Sequence, residues 1–136
     1  MALNNQELDK LLQTDITYLS TCDLEGNPHV KPIWFVVDHG NIWFEMDLNT
    51  RAFRNIKENN QVMLCFGGRA TYLVWGIVNW YKESECPIQI RKMFKDKYKE
   101  LMNDGFITDL TRIFEVQIHK YKSWHGPEKA WEGLDL

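Results

Sequence analysis

The sequence predicts a mainly β protein: a six-stranded antiparallel barrel, closed or partly closed, with flanking helices. Three observations carry this. Six short segments combine β-branched and aromatic residues, with turn residues between them. The first three are joined by connections too short for the helical crossovers of a parallel sheet. Helical periodicity appears in only three places: before the first strand, between the third and fourth, and between the fifth and sixth. Six short strands in that order favour a small barrel.

Each element has its own warrant. Residues 4–13 read as a short helix, because Leu8, Leu11 and Leu12 share one face and Asn4 or Asn5 can cap it. ITYLSTCD (16–23) is the first strand, and EGNP (25–28) is a turn. HVKPIWFVVD (29–38) is the second strand; Pro32 inside it requires an edge, a bulge or a free N–H side. HGN (39–41) is a tight hairpin turn leading into NIWFEMD (41–47). Asn49 or Thr50 can cap a helix from Arg51 to about Glu58, with Phe53 and Ile56 inward and Asn59-Asn60 ending it. QVMLCF (61–66) and TYLVWGIVNWY (71–81) are strands; Gly76 in the second signals a bulge, a barrel corner or a close backbone approach. A long helix runs from Glu85 to about Met102, with Pro87 in its first turn and Ile88, Met93, Phe94, Tyr98, Leu101 and Met102 on its apolar side. RIFEVQIHKY (112–121) alternates and reads as a half-buried last strand.

All 136 residues are expected to form one domain, with 121–136 as a C-terminal tail. Sixteen Lys+Arg against 19 Asp+Glu leave no basic field, which argues against nucleic acid as a partner. No apolar run approaches the roughly 20 residues of a membrane span. The opening MALNNQELDK lacks the basic and apolar regions of a signal peptide. Cys22, Cys65 and Cys86 are odd in number and far apart, which fits a reduced, cytoplasmic protein. His29, His39, His119 and His125 never fall at metal-ligand spacing, so no metal site is expected. Six Trp, five Tyr and seven Phe make 13% of the chain, more than one small core needs, and point to an interface or a planar ligand.

The chemistry concentrates in WFEMDLNTRAFRNI (43–56), where a strand end feeds a helix N-terminus carrying Thr50, Arg51 and Arg54. Backbone N–H groups, a hydroxyl and guanidinium groups there make either a phosphate cradle or an ordinary capped helix with two solvated arginines. His29 and Lys31 share one strand face; Lys31 either adds charge to such a cradle or guards a sheet edge. No nucleophile–base pair is visible, so hydrolysis has no support. Redox chemistry carried by a bound cofactor would need none.

Residues 16–66, through TCDLEGNPHVKPIWFVVDHGNIWFEMD and NTRAFRNIKENNQVMLCF, resemble the pyridoxamine 5′-phosphate oxidase-like FMN-binding split-barrel family. The later TYLVWGIVNW is similar to the family's "V-x-G-x-A" strand, and the likeness extends over about residues 5–120. Among subgroups the chain looks closest to the flavin-nucleotide-binding proteins of the general stress type.

The resemblance implies a homodimer of six-stranded split barrels with FMN in a groove at the subunit interface. Thr50 and Arg51 match the phosphate-binding hydroxyl and arginine, with Arg54 one turn on. His29, Lys31, Pro32 and Ile33 match the strand lining the flavin ring; Phe44 and Glu45 match the strand end beside it; Thr71 matches a polar flavin contact. Trp34 and Trp124 are the tryptophans expected near the groove. The chain departs from the family pattern at Ala52, where a phosphate-binding lysine is usual, at Glu45, usually Thr, and at Trp34, where the true oxidases carry a lysine. Pyridoxamine phosphate oxidation is therefore not expected. The expectation is an FMN-dependent oxidoreductase acting on a small molecule. The alternatives are a non-catalytic flavin, deazaflavin or haem carrier, with His119 or His125 as haem ligand, or a dimer with a vestigial site.

Overall fold

The computed structural model of the chain describes residues 14–67, 71–99, 108–124 and 132–135. The helix expected over residues 4–13 lies outside them. Strand β1 (Thr17–Cys22) is followed by β2 (Pro28–Ile33), β3 (Phe35–Asp38), β4 (Asn41–Asp47), helix α1 (Arg51–Glu58), β5 (Gln61–Phe66) and β6 (Thr71–Lys82). A 3-10 turn (Glu83–Glu85), helix α2 (Ile88–Lys97), β7 (Thr111–Trp124) and β8 (Glu132–Asp135) complete it. The strands form one antiparallel sheet in the order β2-β1-β5-β6-β7-β4-β3, with β8 added on β7.

The two ends of that path are consecutive stretches of chain, interrupted only at Trp34. The sheet thus curls round until one run of chain serves both margins, as in a split barrel. The expected second strand is this run; it pairs with β1 through its first half and with β4 through its second. Pro32 is tolerated because β2 is paired on one side only, opposite Tyr18. The β3–β4 hairpin turns on two residues, His39 and Gly40, both at positive φ (51° and 80°). Such a turn matches the right-handed twist of its strands, and Gly40 enters it without steric cost.

Two apolar layers hold the barrel. Inside lie Leu19, Ile42, Phe44, Leu64, Phe66 and Phe114, all without solvent exposure, with Phe44 stacked on Phe114 at 4.9 Å. Helix α1 closes this layer: Phe53 and Ile56 point inward as expected. Outside the sheet, α2 packs Ile90, Phe94 and Tyr98 onto Val36, Trp43 and Ile113. Full burial of each such side chain is worth roughly 1.5–3 kcal/mol.

Helix α2 is shorter than expected, although Phe94 and Tyr98 are buried on its apolar side as expected. The residue before a proline is pushed out of helical geometry, and Cys86 is extended, so the helix begins only after Pro87. The buried spacing then becomes Ile90, Phe94, Tyr98, one face of a helix. Ile88, expected to be inward, is 85% exposed. Leu101 and Met102 lie outside the described residues.

Gly76 has two of the three expected roles. The β6–β7 register shifts between Trp75 and Gly76, and a Cβ there would lie 2.4 Å from Val116 Cγ1 and 2.6 Å from the Gln117 carbonyl oxygen. Strand β7 extends three residues beyond the expected end, so Trp124 belongs to it. Strand β8 was not legible in the aperiodic tail.

Candidate functional site

Two recesses lie along β2. The first, of about 290 Å³, is lined by Asp23, Asn27, Pro28, His29, Arg51 and Asn55. Its rim is the β1–β2 turn, ordered by Asp23. The Asp23 carboxylate accepts the N–H groups of Glu25 and Asn27 at 2.9 Å each and the Asn27 side-chain amide at 3.0 Å. The Asn27 bonds, chiefly, keep this exposed carboxyl below its ordinary range, and the Arg51 charge adds to the effect.

Arg51 opens α1. The helix is capped by Thr50, whose hydroxyl accepts the Phe53 N–H at 3.2 Å and donates to the Asp47 carbonyl at 3.0 Å. Asn55, one turn after Arg51, is buried and donates to the Thr21 hydroxyl at 3.1 Å, fixing the helix on β1. His29 brings its Nδ1 to the recess from β2. That atom is buried and has no hydrogen-bond partner among the described residues.

The second recess, of about 310 Å³, is lined by four consecutive residues, Lys31 to Trp34, with Ile16, Glu45 and Phe94. Trp34 lies flat on Tyr98, centroids 4.5 Å apart and planes 4° from parallel. Both carboxylate oxygens of Glu45 are buried and unpartnered among the described residues. Burial pushes the Glu45 carboxyl up to about 7, with the Arg91 charge opposing the shift.

The sequence-derived candidates therefore divide. His29 and Arg51 come together in the polar recess, although the family likeness places His29 with the ring-lining strand. Lys31, Pro32, Ile33, Trp34 and Glu45 come together in the apolar one. Glu45 thus lines a different recess from Arg51.

The remaining candidates lie elsewhere. The Thr50 hydroxyl is committed to the helix cap, and Arg54 is exposed on α1 and lines neither recess. The Phe44 side chain is wholly buried in the barrel core, out of reach of either recess. Thr71 and Trp124 are cross-strand partners at the end of the β6–β7 ladder and line neither recess. His119 is exposed on β7, and His125 lies outside the described residues. Sequence reasoning missed Asp23, Asn27 and Asn55. The signal for Asn55 was its place four residues after Arg51 on a helix whose neighbouring inward positions are apolar.

Comparison with known proteins gives the same fold. The profile of the pyridoxamine 5′-phosphate oxidase family matches residues 5–125. Among curated proteins no significant sequence match is found. General Stress Protein 26 from Bacillus anthracis superposes with a TM-score of 0.72 at 15% identity, over 96% of this chain and 97% of that one. A pyridoxamine 5′-phosphate oxidase-related, FMN-binding protein from Nostoc punctiforme gives 0.68 at 10% identity, over 100% and 99%. A protein described as F420 reductase gives 0.69 at 21% identity, over 83% and 94%. With a profile spanning nearly its whole length and a sheet curled into a split barrel, the chain belongs to the pyridoxamine 5′-phosphate oxidase family.

Proposed function

We propose that the chain binds flavin mononucleotide and, as a homodimer, acts as a flavin-dependent oxidoreductase on a small molecule. The observation that carries this reading is the pairing of recesses on one strand. His29 faces a recess with an arginine and a buried amide; Lys31 to Ile33 line an apolar groove two to four residues away. At 3.3 Å per residue that separation is roughly 7–13 Å, the reach of a phosphorylated five-carbon chain carrying a planar ring.

The residues present fit such a nucleotide. Arg51 brings a fixed positive charge, His29 an uncommitted buried nitrogen, and α1 its first N–H groups. Asp23 opposes an anion there, but three donors of its own turn already hold its carboxylate. Pro32, Ile33 and Trp34 offer an apolar wall, and Lys31 adds a cation beside it. When bound, flavin supplies hydride and electron transfer. The chain's part is to bind, orient and keep water from the ring.

The homodimer rests on the outer face of the sheet. Tyr18, Val30, Pro32, Met63, Cys65 and Trp75 are lateral or near neighbours on β1, β2, β5 and β6. Val30 is 63% and Tyr18 47% exposed. A solvated sheet face would alternate to polar residues here; a second copy would bury this one. Cys22, Cys65 and Cys86 are unpaired, which suits a reducing, cytoplasmic setting. No helix among the described residues is long and apolar enough to cross a membrane.

The likeness to F420 reductase favours a second reading, a deazaflavin in the same two recesses. The absorption spectrum and native mass of the purified protein test both. Flavin bands with a two-chain mass are expected; a deazaflavin band selects the second reading; a colourless monomer that takes up no flavin overturns both.

A further inference from the structure

Strand β4 sends Phe44 and Met46 into the barrel and turns Trp43 and Glu45 to the outer side, beneath α2. Trp43 is covered there by the apolar residues of α2. Glu45 is not covered in kind. It lies at the second recess, with neither carboxylate oxygen reached by solvent or by a donor among the described residues.

A carboxyl orphaned in this way is costly unless a partner arrives. The neighbouring groups do not supply one. Arg91 on α2 faces Glu45 but is spent on Glu83, with its guanidinium 2.7 Å from the carboxylate and 3.0 Å from the carbonyl. Cys86, just before α2, directs its thiol to the Pro87 carbonyl at 3.5 Å. Ile113 is its partner on β7 and carries no charge. Lys31 lines the same recess from β2. The rest of the wall is apolar, with Trp34 held flat by Tyr98.

We propose that Glu45 is a specificity-determining residue: its carboxylate accepts hydrogen bonds from the N–H edge of a nitrogen heterocycle lying in the recess against Pro32 and Trp34. This deepens the flavin reading and rests on it. An N–H donor stabilises the ionised carboxyl, so binding couples to loss of the proton that burial favours in the free protein. Ligands of the same size without that edge leave a buried acid unpaired and bind poorly.

The test is the affinity of riboflavin, followed by its fluorescence, at pH 6 and pH 8. The probe is chosen to lack a phosphate, so that it makes no demand on the recess of His29 and Arg51. A carboxyl titrating near 7 goes from about one-tenth to about nine-tenths ionised across it, so the wild type binds about tenfold tighter at pH 8. Glu45→Gln binds equally at both pH values, and Glu45→Leu is equally flat and at least about tenfold weaker than wild type at pH 8. A wild type that binds equally at both pH values, or tighter at pH 6, overturns the inference even if both variants fail to fold. A pH profile that survives in Glu45→Gln overturns it too. FMN binding that depends on Arg51 while riboflavin ignores Glu45 overturns this inference alone; a wild type that binds neither FMN nor riboflavin overturns the cofactor reading and this inference with it.

Discussion

Replacing Tyr98 with Phe removes one oxygen from the point where the second strand breaks. That oxygen accepts the Phe35 N–H at 2.9 Å and donates to the Asp15 carbonyl at 2.8 Å, with the Phe35 carbonyl at 3.0 Å. It ties three things together: the approach to β1, the start of β3 and the end of α2. Phe35 is fully buried, so its N–H has no water to turn to once the hydroxyl is gone. The Phe35 carbonyl keeps the Lys97 ammonium at 2.9 Å and is not orphaned. The ring remains, so its stacking on Trp34 is kept and no cavity opens beyond a single atom. The loss is therefore that of one unsatisfied buried donor, about 1–3 kcal/mol. With a urea dependence of about 2 kcal/mol per molar, a 2 kcal/mol loss lowers the unfolding midpoint by about 1 M. Equilibrium urea unfolding followed by circular dichroism measures it. An unchanged midpoint refutes the claim that this hydroxyl secures the strand break.

Other perturbations have equally definite signs. Gly76→Ala forces a methyl group against Val116 and the Gln117 carbonyl, and thermal melts should show a loss of about 1–3 kcal/mol; a neutral change contradicts the close approach. Free Glu45 titrates near 7 when folded and near 4.5 as an ordinary carboxyl, so between these values the folded chain holds the extra proton. That stability is present below pH 4.5 and lost as pH rises through 7. Glu45→Gln should accordingly melt higher than the wild type at pH 8, with the gap shrinking at pH 5; a variant that is less stable at pH 8 contradicts this. Asp23→Asn keeps an acceptor for its turn and removes a negative charge from the recess of Arg51 and His29, so on the proposed reading FMN should bind about two- to fivefold tighter by calorimetry. Weaker binding would show that Asp23 supports the recess.

Much of the barrel was legible because its strands advertise themselves locally. NIWFEMD and QVMLCF alternate and are bounded by turn residues, and Thr50 with Asn59 brackets α1, so those limits agree with the structure. The break at Trp34 was not legible, because IWFVV looks like uninterrupted strand; only the curl of the sheet requires a change of partner there. Helix α2 starts three residues later than expected because Pro87 resets it, and Ile90 rather than Ile88 joins Phe94 and Tyr98 on the buried face.

At the site, the consecutive run Lys31 to Trp34 lines one groove, and α1 lying against β2 brings Arg51 near His29. The grouping of Asp23, Asn27 and Asn55 with them arises from a turn and a helix meeting across the end of β1, a contact between segments about thirty residues apart. Local pattern holds no record of that. Phe44, matched by the family likeness to a ligand-lining strand end, is stacked on Phe114 inside the barrel and lines neither recess.

In the proposed function the recess of Arg51 and His29 holds a phosphate while the Lys31–Trp34 groove holds its ring. Parallel titration of wild type and Arg51→Ala with FMN and with riboflavin separates the two halves of this site. Arg51 is exposed, so its contact is worth the lower end of a charge-assisted bond. Arg51→Ala should therefore weaken FMN about tenfold and leave riboflavin unchanged. Equal FMN affinity in the two proteins, or an equal loss for riboflavin, would contradict the account.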